Sequence, residues 1–381
     1  MNVVRLWPQA RSPRLGLVVV AAALIRSAAH GARQTFGLIL EPLAAGYRLP
    51  AAAAALALAT HNLVWGVAQP FAGAAADRYG AGPVALVGGA VLAAGLALSA
   101  LGSGGWALFV GLGLLVGVGI SCTGFGVALA AVGKAAPPEK RTMAMGLASA
   151  GGSFGQAILV PLTQGGLERW GVAAALLALA GLAVAAGTLG PLLDGRRGRA
   201  APHPAARKEN LGEALRHAAG HNGYRLLTLG FFVCGFQLAF IATYLPGYLT
   251  LCQMPVGLGA TALGLIGFFN MIGSWGCGWL GGRYAPEKLL GWLYLIRGAA
   301  IAAFVFAPKS PESVVLFAAV MGLTWLGTVP LTSGLIARMF GVAHLGTLFG
   351  VCFLSHQIGS FIGAWAGGAA FDLTGGFDPV W

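Results

Sequence analysis

Apolar runs of about 20 residues recur along the whole chain, separated by short polar turns that hold most of the charge. They fall at 15–40, 51–74, 82–101, 105–133, 142–166, 171–193, 225–250, 258–281, 287–307, 313–338 and 343–371. A helix of that length crosses the roughly 30 Å hydrocarbon core of a bilayer. The pattern therefore predicts an all-α polytopic membrane protein with eleven spans. Only 194–224 is both long and polar, and its Pro202, Pro204 and Arg207-Lys208-Glu209 read as a linker, with Leu211–His217 as a short surface helix. Three domains follow: a bundle over 1–193, a basic linker over 194–224 and a second bundle over 225–381.

Composition sharpens this picture. The chain is 57% hydrophobic and only 9% charged, with a mean hydropathy of +0.79, whereas a soluble chain carries about 25% charged residues. Most of the 23 Lys and Arg fall on one side of the spans; only Arg48, Arg169 and Lys309 fall on the other, and Arg26, Arg33 and Arg297 lie within spans. The asymmetry predicts a cytoplasmic N-terminus in a bacterial inner membrane. The net charge of +12 is then a signal of topology, not of nucleic-acid binding. The basic start, the apolar run Leu15–Ile25 and Ser27-Ala28-Ala29 also fit a cleaved signal peptide, an alternative disfavoured because the repeat described next includes this segment. The five cysteines show no metal or disulfide spacing, and no cofactor is expected.

The two halves repeat each other. Gly31, Phe36 and Pro42 of span 1 match Gly235, Phe240 and Pro246 of span 7, and Gly146, Gly155 and Gly171 match Gly350, Gly359 and Gly375, all at one offset. After span 2 comes Gly73-x-x-x-Asp77-Arg78-Tyr79-Gly80, and after span 8 comes Gly278-x-x-x-Gly282-Arg283-Tyr284. Two parallel repeats joined by a basic loop place a solute site between the bundles near the middle of the membrane.

The Gly73–Gly80 segment resembles the signature loop between spans 2 and 3 of the major facilitator superfamily, and the likeness extends over essentially the whole chain. It implies two pseudo-symmetric six-helix bundles. It also implies that Gly73, Asp77, Arg78 and Gly80, with Arg283 in the second copy, form a conformational switch on the inner side. Gly282 replaces the acid of the second copy. Span 1 (Gly31-Ala-Arg33-Gln-Thr-Phe36-Gly37) and the glycine-rich Gly151–Gly155 further resemble the monocarboxylate and oxalate/formate porter branch. That branch often carries an arginine in span 8; here Phe268–Trp275 has none, so a substrate arginine has to come from span 1. The superfamily has twelve spans, and the ten residues after span 11 are too short for another, so the twelfth is expected to be missing.

Candidate chemistry centres on cations without acids. No Asp or Glu lies as deep as Arg26, Arg33 or Arg297; the nearest, Glu41, lies beyond the outer end of span 1. Burying a cation costs roughly 2.5–3.5 kcal/mol on insertion scales, so such residues serve function or structure. Arg26, His30 and Arg33 share one helical face; Arg33 suits a bidentate grip on a carboxylate, and His30, His61 or His356 suits a proton. Gln237 stands where the repeat places the partner of Arg33, and Tyr244 continues that face. Asn62, Asn270 and Trp325 complete the candidate substrate-binding set, while Arg297 reads as structural. The expectation is a monomeric secondary transporter importing a small organic anion, a monocarboxylate, with a proton. The alternatives are an efflux pump for amphipathic compounds lined by Trp275, Trp325 and Trp365, and a membrane sensor that binds without turnover. No nucleotide loop, paired carboxylates or nucleophile–base spacing supports an enzyme.

Overall fold

The computed structural model describes residues 13–49, 51–194, 210–255 and 257–381. All regular structure among them is helical. Nine described segments are long and apolar enough to cross a membrane. One of them, Pro138–Leu192, runs for 55 residues and holds spans 5 and 6, turned at Gly171, whose φ of 78° suits glycine alone. Helix Ala51–Tyr79 supplies span 2, made less apolar by His61, Asn62 and Gln69. Each of the eleven predicted runs is thus helical. The linker segment 195–209, with Arg196, Arg197, Arg199, Arg207 and Lys208, lies outside the described residues, as do Arg5, Arg11 and the side chains of Arg14 and Glu41. Leu211–Gly220 forms the expected surface helix, closed at its start by a reciprocal Asn210–Glu213 capping box.

Packing follows the repeat. Span 1 packs chiefly on span 5 and span 7 on span 11, while span 2 meets span 11 and span 5 meets span 8 across the halves. Exchanging each span with the one six later reproduces the same set of contacts. Glycines allow the approach. A Cβ on Gly31 would stand 2.7 Å from the Gly155 carbonyl, one on Gly155 would strike Ser27, and one on Gly359 would strike the Phe232 carbonyl. Between the halves, a Cβ on Gly146 would lie 2.6 Å from the Gly278 Cα, and one on Gly350 2.6 Å from the Pro70 Cα. In lipid, where water drives no association of the helices, such close contact is the main source of adhesion. Gly155→Val and Gly359→Val are each expected to destabilise by about 1–3 kcal/mol through overpacking. Detergent thermal melting checks this, and an unchanged midpoint would contradict it.

Three spans are interrupted inside the bundles. Span 1 breaks at Thr35, between Pro13–Gln34 and Phe36–Gly46; span 4 is extended at Gly124; span 10 breaks between Pro311–Thr324 and Thr328–Phe340. Broken helices at membrane depth need partners for their freed backbone groups. At span 10 the fully buried Arg297 provides them: its Nη2 donates to the Thr324 carbonyl and, at 3.0 Å, to the Trp325 carbonyl. Its Nη1 donates to Cys234 Sγ at 3.2 Å, and the Leu326 N–H donates to Asn270 Oδ1 at 3.0 Å. No helix follows Thr374 among the described residues; Phe377 is buried there, and Trp381 packs 5.0 Å from the rings of Phe240 and Tyr248.

Candidate functional site

Arg33 lies in the last turn of the first half of span 1, where the negative end of the helix dipole favours a cation. It is partly buried. Its Nη2 donates to Asn62 Oδ1 at 2.8 Å, its Nη1 to Gln34 Oε1 at 3.2 Å, and its guanidinium carbon lies 4.9 Å from the Trp65 ring centroid. Its Nε is buried with no partner. Beside it, fully buried His61 has neither ring nitrogen bonded and meets Phe36 edge-on at 5.6 Å. From span 11, Gln357 Nε2 donates to the Asn62 carbonyl at 3.0 Å and its Oε1 lies 3.3 Å from His356 Nδ1. Orphaned buried donors are uncommon in folded proteins and call for an explanation. Here they belong to Arg33 itself and to the neighbouring His61, and among the described residues the ion pair recorded is elsewhere, between Lys134 and Asp77.

The other sequence-predicted residues divide. His30 is buried between Arg26 and Arg33 on the same face. Arg26 is 2% exposed and stacks 3.4 Å from the Phe125 ring centroid, with Nε and Nη2 unpartnered. Gln237 keeps a buried Oε1 without a partner. His356 stacks on Phe353 at 5.6 Å. Asn270 is engaged on every side: its Nδ2 donates to Ser153 Oγ at 3.0 Å, and its Oδ1 accepts from Ser274 at 3.2 Å besides Leu326. The Tyr244 hydroxyl donates to the Ala364 carbonyl at 2.5 Å and so fastens span 7 to span 11. Trp325 sits at the break of span 10, its carbonyl held by Arg297. The structure therefore groups Arg33, His61 and Asn62, with His356 joined to them through Gln357, sets His30 and then Arg26 further along span 1, and commits Asn270, Tyr244 and the Trp325 backbone to other contacts.

The linker-side end of the bundles is closed by Asp77, whose side chain is 4% exposed. Its Oδ2 accepts from the Thr347 amide at 2.8 Å and the Thr347 hydroxyl at 2.9 Å; its Oδ1 accepts from Lys134 Nζ at 2.9 Å and the Gly346 amide at 3.2 Å. Gly346 and Thr347 open the helix Leu345–Thr374, so a carboxylate of the first half caps a helix N-terminus of the second. A Cβ on Gly73 would collide with the Gly346 backbone. Gly80 takes a φ of 98°, and a Cβ there would meet the Asp194 carboxylate at 2.9 Å. Arg78 is exposed and lies over Tyr79 at 5.2 Å; Arg283 is exposed and lies over Trp279 at 3.9 Å. Neither makes an ion pair among the described residues. Among the described residues, spans 1 and 7 are not packed on each other. The halves are joined on the linker side by the Asp77 contacts.

A sequence model of the Major Facilitator Superfamily matches residues 22–375. The chain belongs to the major facilitator superfamily. An uncharacterised transporter of this superfamily, YcxA of Bacillus subtilis strain 168, is 28% identical over 157 residues. That match spans 40% of this chain and 38% of the relative's length. The fold of FucP, the fucose:proton symporter of E. coli, in an outward conformation is similar with a TM-score of 0.72 at 19% identity, covering 96% of this chain and 94% of that one. The human organic anion transporter MFSD10 gives 0.70 at 16% identity, covering 95% and 94%.

Several residues of this major facilitator chain escaped the sequence reading. Thr347 and Lys134, the partners of Asp77, carry no motif of their own. Gln69 accepts from Trp65 Nε1 and donates to the Ser121 carbonyl, both at 3.2 Å, fastening span 2 to span 4 beneath the site. Phe353 wedges against Trp65 at 4.8 Å. Aromatic residues are common in apolar spans, and nothing local marks one that faces the other half.

Proposed function

We propose that the chain is a secondary transporter that imports a small organic anion, a monocarboxylate, together with a proton by alternating access. It acts as a monomer in a bacterial inner membrane, with the N-terminus and linker in the cytoplasm. Arg33 carries this reading: a partly buried guanidinium with an unpartnered Nε, beside a buried histidine with two unpartnered nitrogens and no acid bonded to either. A carboxylate supplies the missing acceptor, gripped at two points by the guanidinium, and the unpaired imidazole of His61, or His30 on the same face as Arg33, provides a place for the proton. Asn62 and Gln34 each hold one terminal nitrogen and leave Nε without a partner. On this reading the Asp77 cap holds the cytoplasmic side shut while the solute enters from outside. Its release lets the halves rock about the site.

The test is uptake into proteoliposomes carrying an inward proton gradient, with radiolabelled monocarboxylates, dicarboxylates, neutral sugars and amphipathic cations as solutes. Saturable accumulation of a monocarboxylate that collapses with a protonophore is the expected result. Transport of amphipathic cations alone would replace this reading with efflux, and ligand binding without flux would make the chain a sensor.

A further inference from the structure

We propose that Arg26 is the inner of two anion stops on a single path, with Arg33 the outer one and Phe353 the gate between them; this rests on the anion-transport reading above. Arg26 and Arg33 stand seven residues apart on one helix, about 10 Å along its axis at 1.5 Å per residue. A continuous stack links them. Arg33 lies 4.9 Å from Trp65, Trp65 lies 4.8 Å from Phe353, Phe353 lies 6.1 Å from Phe125, and Phe125 lies 3.4 Å from Arg26. Trp65 and Phe125 come from the half that carries both arginines. Phe353 comes from span 11 of the other half, two turns beyond the Thr347 that caps onto Asp77. The latch that shuts the linker side therefore also seats Phe353 between the two cations.

Arg297 supplies the internal comparison. It is as deeply buried as Arg26 and its Nε is likewise unmet, yet both its terminal nitrogens are bonded, to a thiol and to two carbonyls freed by a helix break. Arg26 has only the face of Phe125, while Nε and Nη2 go unmet. The chain makes room for this group as well: a Cβ on Gly152 would stand 2.6 Å from Nη2. A buried guanidinium left with a replaceable aromatic partner suits a transient anion. When the halves rock, Phe353 leaves with span 11, the aromatic barrier opens, and the carboxylate passes from Arg33 to Arg26. From there it faces the linker side.

The experiment is sided transport kinetics with a carboxylate carried by the parent protein, in right-side-out and inside-out vesicles, comparing Arg26→Gln, Arg26→Lys and Arg33→Gln. Arg33→Gln is expected to raise KM about tenfold or more from the side opposite the linker and change it little from the linker side, as for the loss of one charged hydrogen-bonding partner. Arg26→Gln is expected to do the reverse. Arg26→Lys, which keeps the charge and loses the fork, is expected to show the same sidedness in weaker form. Equal KM changes on both sides, or none, would overturn the proposal. So would Arg26 variants that fail to fold in both forms, which would assign the residue to packing. A parent that carries no carboxylate removes the anion reading itself, whereas sided-independent Arg26 variants of a parent that does carry one remove only the two-stop path.

Discussion

Arg33→Ala is expected to weaken carboxylate binding by about 10- to 150-fold, because a hydrogen bond to a charged group contributes about 1.5–3 kcal/mol. The wild-type guanidinium already spends Nη2 on Asn62 and Nη1 on Gln34 and leaves Nε unmet, so on the anion-transport reading the loss falls on the Nε edge. Carboxylate-induced thermal stabilisation of the purified protein reads it directly, with neutral and cationic compounds as controls. Arg33→Lys should fall between parent and alanine, since an ammonium supplies charge without the planar pair of donors. A purely structural Arg33 predicts a different pattern: the ligand-free melting temperature of Arg33→Ala would drop, and the response to carboxylate would survive.

The second large effect is expected at Asp77. One carboxylate holds four donors from two segments, two of them backbone amides at the start of span 11. Asp77→Asn keeps one acceptor oxygen, removes the charge that faces Lys134 and weakens the cap on the helix dipole. Breaking a buried ion pair costs about 3–5 kcal/mol. Lys134 is 34% exposed, so screening reduces this to roughly 2–3 kcal/mol. That corresponds to a shift of about 30- to 150-fold towards states open on the linker side. Spin-label distances between the linker-side ends of spans 2 and 11 measure the shift, and an unchanged distribution would contradict the latch. Uptake should fall while carboxylate binding persists, which separates this variant from Arg33→Ala. Lys134→Ala, removing only the exposed partner, should have a smaller effect.

Both residues were visible in the sequence, for different reasons. Asp77 stands in a loop whose spacing resembles a family signature, and Arg33 breaks an apolar run that otherwise excludes charge. What each one touches was not visible. Asp77 reaches Thr347, 270 residues further along the chain. Arg33 takes Asn62 from span 2, and Gln357 from span 11 reaches the same residue. Asn270, Tyr244 and Trp325 looked equivalent to these as polar or aromatic groups at middle depth. Their neighbours differ: Asn270 bonds at a helix break and Tyr244 joins two spans. The break of span 10 was itself hidden inside one apolar run, since a hydrophobic stretch records membrane depth and carries no record of helix continuity.

The sequence by itself determined the apolar spans and the two-fold repeat, though not where the helices within them break. Bilayer thickness sets the length of every apolar run, and the glycines that let spans 1 and 5, or 7 and 11, approach closely recur at one offset. Tertiary structure decided which cations are satisfied and which are left waiting. The sequence already read Arg297 as structural and Arg26 as a candidate contact, but it named no partner for either. Only the packing shows that one caps freed carbonyls and the other faces an aromatic ring with two nitrogens unmet. The physical reason is that satisfaction of a buried polar group depends on partners brought from other helices, and helix rotation and bundle contact place those partners.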